Sequence, residues 1–192
     1  MLRIIGDVHG KLDQLRRLYR NPAVAIGDVG FKAEWDALDF EPTAFKIVRG
    51  NHDYPYDDSP YDLGDFGYQT LGGVSFFFVR GAWSIDSAYR TIGRDFFPEE
   101  ECSYTVLQEA IESYRALRPE IVLTHDAPIS IYPFLVKGSI RGSRTAEALQ
   151  VMLEVHRPTL WLFGHHHQSI TIVRDGCTLR GLDELEYVDL HA

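Results

Sequence analysis

Hydrophobic positions fall into short runs closed by turn residues, with stretches of helical spacing between them. Leu2 to Ile5 is an apolar run broken by Gly6-Asp7-Val8-His9-Gly10, and Lys11 to Arg20 then sets Leu12, Leu15 and Leu18 on one helical face. Ala23 to Ile26, closed by Gly27-Asp28, and Phe45 to Val48, closed by Gly50-Asn51-His52-Asp53, predict two further strands. Gly67 to Leu71 and Val74 to Val79 flank Gly72-Gly73, a two-residue hairpin signal. Pro98 to Leu117 predicts a helix: Pro stands near its start, acids fill its first turn, and Leu107, Ile111 and Tyr114 recur at helical spacing. Ile121 to Leu123 is a strand ending at Thr124-His125-Asp126, and Ser143 is a candidate N-cap for a helix running to His156. Leu160 to Phe163 ends at Gly164-His165-His166-His167, and Ile170 to Val173 and Thr178 to Leu179 flank the turn Asp175-Gly176. Strands alternating with helices predict an α/β fold built on crossover units.

Five of these strands finish in a cluster of Gly, Asp, Asn or His. Ligands in α/β sheets bind outside the carboxyl ends of the strands. Asp7, His9, Asp28, Asn51, His52, His125, His165 and His167 are therefore expected to converge on one edge.

Composition narrows the classes. A chain of 192 residues suits one domain, taken as 1–192. A formal charge of −9 disfavours a coat of phosphate contacts along a long nucleic acid, so none is expected as partner. The two cysteines, Cys102 and Cys177, are too few for a disulfide framework. No run approaches the roughly 18–20 apolar residues of a membrane span, and Asp7 and His9 interrupt any leader-like core at the N-terminus. The expectation is a cytoplasmic chain without membrane association.

The converging donors are carboxylate oxygens, imidazole nitrogens and one amide oxygen, with no thiolate, which suits Mn, Fe or Zn. Carboxylates gathered without a nearby Lys or Arg call for a cation. Seven ligand candidates exceed one tetrahedral ion but suit two ions sharing a carboxylate; two ions about 3.5–4 Å apart can hold a bridging hydroxide and clamp a phosphoryl group.

Gly6-Asp7-Val8-His9-Gly10, Gly27-Asp28, Gly50-Asn51-His52-Asp53, Thr124-His125-Asp126 and Gly164-His165-His166-His167 together resemble, in order, the motif set of the calcineurin-like metallophosphoesterases. The resemblance implies a four-layer α/β/β/α sandwich of two mixed sheets flanked by helices, the second sheet the more antiparallel. It implies two divalent ions, Mn first, with Fe, Zn or Ni as alternatives. Asp7, His9 and His167 would hold the first ion, Asn51, His125 and His165 the second, and Asp28 would bridge them. His52 would be the non-ligand histidine that protonates the leaving group, with Asp53 orienting its ring. Its ordinary pKa of about 6.5 suits that task. His166 would be a spacer facing away.

One departure bears on substrate. The protein Ser/Thr phosphatase branch continues its second motif as Gly-Asp-x-x-Asp-Arg-Gly, whereas this chain reads Gly27-Asp28-Val29-Gly30-Phe31-Lys32. The expected substrate is accordingly a small phosphodiester such as a cyclic nucleotide, with phosphomonoesters or phosphoproteins as the alternative. Substrate contacts are expected from Arg80, in a Gly-rich segment similar to one in small bacterial family members, and from a cationic lip of Lys137, Arg141 and Arg144. A solvated loop is the alternative for that lip. A reading of another class, a catalytically silent scaffold with Tyr54, Tyr56 and Tyr61 as a partner patch, would need ligands or His52 to have been lost; all are present.

Overall fold

The structure is a computed structural model describing residues 1–55, 58–136 and 143–192. Two sheets face each other. The first has the order β10 (Tyr187–Leu190), β1 (Leu2–Ile5), β2 (Ala23–Ala25), β3 (Phe45–Ile47); β1, β2 and β3 are parallel and β10 is antiparallel to β1. The second has the order β4 (Phe66–Leu71), β5 (Val74–Val79), β6 (Ile121–Thr124), β7 (Leu160–Phe163), β9 (Cys177–Gly181), β8 (Ile170–Arg174). Its centre, β5 to β9, is parallel, and the two expected hairpins form its antiparallel edges.

The alternation of side chains along a strand sorts this core into layers. Leu2, Ile4, Val24 and Ile26 of the first sheet meet Phe76, Phe78, Leu123 and Leu162 of the second, all buried. Phe77 and Val79 point the other way, onto α3 (Tyr104–Leu117) and α5 (Arg144–Val155), with Tyr132 and Leu135 of the short α4 (Tyr132–Leu135) closing the layer. On the far side of the first sheet, Ile5, Phe45 and Ile47 pack with Leu15 of α1 (Leu12–Leu18) and Trp35 of α2 (Lys32–Asp36). Each large side chain removed from water in this way contributes about 1.5–3 kcal/mol. The arrangement is the expected helix–sheet–sheet–helix sandwich.

The helix expected from Pro98 starts later, at Tyr104, where the Ser103 side chain accepts from the Val106 N–H. The acids expected in its first turn are buried partners instead: Glu100 takes the Ser84 N–H and hydroxyl, and Glu101 takes the Thr145 N–H and the Ser143 hydroxyl. Among the helices and strands, α2, the four-residue α4 and β10 lie outside the sequence reading. α2 is only five residues long, and β10 is held by Arg3, which pairs bidentately with Asp189 at 2.7 Å and lies over the Tyr187 ring. Tyr54 and Tyr61 pack into the layer beneath α2, and the Tyr61 hydroxyl donates to the Phe40 carbonyl, so they form no exposed patch. Tyr56 lies outside the described residues. Among those described, no helix is long and apolar enough to cross a membrane.

Candidate metal centre

The carboxyl ends of β1, β2 and β3 deliver Asp7 and His9, Asp28, and Asn51 and His52; those of β6 and β7 deliver His125, and His165 and His167. Each strand must stop and turn at once to aim these groups at a common point. His9, Asp28, His165 and His167 do so in the left-handed region, with φ of 46°, 46°, 64° and 48°. Side chains rarely adopt it, and such strain concentrates at functional sites. The motif glycines answer a different need, close approach. A Cβ on Gly27, itself at φ 114°, would overlap the His125 ring, and one on Gly50 would overlap the Asp28 carboxylate.

Three groups of ligand atoms result: Asp7, His9, Asp28 and His167; Asp28, His125 and His165, with Asn51 beside them; and Asp126, His165 and His166. Asp28 belongs to the first two. Its Oδ2 lies 3.8 Å from His9 Nε2 and its Oδ1 3.4 Å from His125 Nε2, so one oxygen faces each of them. In the first group, His9 Nε2 and His167 Nε2 stand 2.8 Å apart, with Asp7 Oδ2 3.1 Å from the latter. In the second, His125 Nδ1 donates to the Ile26 carbonyl at 2.9 Å, which leaves Nε2 as its inward atom, 2.9 Å from Asn51 Oδ1.

Behind Asn51 runs a chain that sets its amide. The Ser84 hydroxyl donates to Glu100 at 2.6 Å and so accepts from Asn51 Nδ2 at 2.9 Å, turning Oδ1 inward. Lone pairs of Asn51, Asp28 and neutral His125 thus face one another, and only a cation between them or a proton on Nε2 reconciles them. The titration behaviour expresses the same demand. Burial alone would lower the His125 pKa, but Asp28 and Asp7 hold it up at about 10. Burial would raise Asp7 and Asp28, yet neighbouring imidazoles, His125 foremost, hold both below the usual carboxylate range. His165 is pushed down to about 4 by burial, aided by His125, and stays neutral near pH 7. Buried carboxylate, imidazole and amide oxygen donors fit divalent ions of intermediate hardness.

His52 stands beside this centre. Its backbone N–H donates to Asp28 Oδ1 at 2.8 Å, and burial and Arg90 lower its pKa against the pull of Asp28. Asp53 does not orient its ring: the Asp53 carboxylate accepts from the N–H groups of Gly30 and Gly50 and from the Trp35 indole, bracing the loops. The cation at His52 is one the sequence reading missed. Arg90 lays its two terminal nitrogens against the ring nitrogens, 2.5 and 3.1 Å away, while Asp86 grips the guanidinium bidentately at 2.7 Å. Its sequence signal was faint, an Asp86–Arg90 spacing of four in a loop.

The expected substrate arginines lie elsewhere. Arg80 is buried against Asp65 and the Glu99 carbonyl, and Arg144 pairs with Glu101 at 3.4 Å beneath Tyr104. Both are engaged by carboxylates, the half-exposed Asp65 and the buried Glu101, rather than turned to the convergent site. Lys137 and Arg141 lie outside the described residues. His166 does not face away into solvent; its Nε2 meets Asp126 at 3.2 Å, and that carboxylate also takes the Tyr132 hydroxyl and the Ala127 N–H and shares the Ser143 hydroxyl with Glu101. With its lone pairs so occupied, Asp126 is a hydrogen-bond hub rather than a third ligand position.

A cleft of about 730 Å³ opens beside His52, Asn51 and His165, between Trp83–Arg90 on one wall and Tyr132–Val136 on the other.

The structure is similar to phosphopantetheinyl hydrolase from Mycobacterium tuberculosis (TM-score 0.57, 14% identity, covering 95% of this chain and 89% of that one). It is also similar to a "putative 5′-nucleotidase" from Staphylococcus aureus (TM-score 0.54, 14% identity, 95% of this chain and 48% of that one). No curated protein matches the sequence. Identities this low bear on fold alone. The sequence itself matches the family model of the calcineurin-like phosphoesterases over residues 2–169, a span that contains every motif of the convergent site. The chain belongs to the calcineurin-like phosphoesterase family.

Proposed function

We propose that the chain hydrolyses small phosphodiesters, such as cyclic nucleotides, on a dinuclear centre, with manganese as the first candidate metal and iron, zinc or nickel as alternatives. The observation that supports it best is the Asp28 carboxylate, one oxygen directed at each group of imidazoles. Asp7, His9 and His167 would hold one ion, and Asn51, His125 and His165 the other. Divalent ions bound there supply Lewis acidity to the phosphoryl group and to the attacking water.

The chain's own residues do the rest. Ser84 and Glu100 orient Asn51, the Ile26 carbonyl fixes the His125 ring, and His52 delivers a proton from a ring nitrogen to the departing alkoxide oxygen. Small substrates are favoured because Lys32, where the phosphatase branch carries its arginine, sits on exposed α2 with Asp36.

The test is hydrolysis of bis-p-nitrophenyl phosphate and p-nitrophenyl phosphate by metal-stripped protein, with Mn²⁺, Zn²⁺, Ni²⁺ or Mg²⁺ added back. Metal-restored cleavage of the diester in preference to the monoester is expected. Monoester preference would move the assignment to a phosphatase. Silence on both esters with two ions bound would leave a binding scaffold.

A further inference from the structure

The cleft beside His52 is placed for the substrate's alcohol. It is bounded by His52, Asn51 and His165, on the second-ion side, and by none of Asp7, His9 and His167. A proton donor at its mouth and open volume beyond it mark the direction in which an alcohol leaves. Its apolar surface comes from Trp83, Ile85, Leu135 and Val136, with Ile85 77% and Val136 40% exposed. Among its described lining residues Arg90 is the only Lys or Arg, and it stands at the His52 end. Among the described residues, the far part of the cleft is lined by Trp83, Ile85, Leu135 and Val136 rather than by Lys or Arg.

Arg90, held by Asp86 and donating from Nη1 to the Asp95 carbonyl, also turns its two terminal nitrogens to the His52 ring. An imidazole offers at most one lone pair in any protonation state, yet guanidinium nitrogens approach both ring nitrogens. A phosphoryl oxygen beside that pair supplies the acceptor the ring cannot.

We propose that this cleft is a subsite for the ring-bearing, nucleoside-sized alcohol portion of the ester, with Arg90 gripping the reacting phosphoryl group at its entrance. Its volume lies within the range of small-molecule sites. Trp83 provides the stacking face, and Asp86, by holding Arg90 along two parallel bonds, fixes the direction of the grip. The inference rests on the phosphoesterase reading for the fate of the alcohol, but binding can be read without turnover.

Trp35 and Trp161 are 4% and 0% exposed, so tryptophan fluorescence quenched by a ring-bearing solute reports Trp83. Titrating the metal-free full chain with adenosine, guanosine, cytidine and uridine should give saturable quenching that ribose does not. The signal should vanish in Trp83→Phe, and the affinity should fall about tenfold in the exposed-site double variant Ile85→Ser, Val136→Ser. In Zn²⁺-loaded protein, Arg90→Ala should weaken adenosine monophosphate about tenfold and leave adenosine unchanged. No saturable quenching, or quenching indifferent to the double variant, would overturn the subsite. Equal loss for both ligands in Arg90→Ala would overturn the phosphoryl role of Arg90. Absent nucleoside binding with metal-dependent diester cleavage intact would overturn this inference alone. Nucleoside binding in a chain that cleaves no ester would overturn the phosphoesterase reading and leave the subsite standing.

Discussion

Asp28 directs one oxygen at each histidine group, so Asp28→Ala should lower bound metal at both positions together; elemental analysis of purified protein checks this, and two retained ions per chain would refute the bridge. His52 touches the centre only through its backbone and its neighbourhood. His52→Ala should keep metal content while lowering turnover by about 10²–10⁴-fold. Protons enter the metal account with a definite sign. His125 retains its proton up to about pH 10 without metal, and ligation needs the Nε2 lone pair. Metal uptake at pH 7 should release a proton, and apparent affinity should rise by about tenfold per pH unit for each proton displaced. Calorimetry in buffers of different ionisation enthalpy reads the proton count; uptake without release would contradict it. Ser84→Ala tests the next layer out. It strips Asn51 Nδ2 of its acceptor and should weaken the second ion by about 10–100-fold while sparing the first.

At the scale of elements, legibility followed local signal. Leu2–Ile5 and Leu160–Phe163 announce themselves because buried strands carry continuous apolar runs ended by turn residues. The Ser143 cap was readable for the same reason: a short hydroxyl ahead of helical spacing has few other uses. α2 was not readable, because five residues give little more than one turn of periodicity. The Pro98–Glu101 stretch carried a helix-start pattern, but the buried demands of Ser84, Ser143 and Thr145 claimed its acids. The metal ligands were legible because each sits at a fixed offset from a strand end. Arg80, Arg90 and Asp53 were misread or missed because their partners, Asp65, His52 and Gly30, lie 15, 38 and 23 positions away. Arg80 carries the clearest consequence. Arg80→Met should leave KM for either ester unchanged and lower the melting temperature by several degrees, since losing a mostly buried charge partner costs about 1–3 kcal/mol; a raised KM at full stability would return Arg80 to the substrate.

Across the whole molecule, each candidate ion draws ligands from both sheets. Asp7, His9 and Asp28 come from the first sheet and His167 from the second; Asn51 comes from the first, and His125 and His165 from the second. The layer between the sheets is otherwise largely apolar, with a few directional bonds at the site end such as His125 Nδ1 to the Ile26 carbonyl and the His165 N–H to Asp7. A bound ion is thus a rivet through two plates. Filling a site to about a hundred times its dissociation constant adds about 2.7 kcal/mol, worth several degrees of melting temperature at this chain length. Chelator should soften the whole protein, and a melting curve taken with each metal in turn would rank the ions by how tightly they clamp the two plates, before any substrate is known.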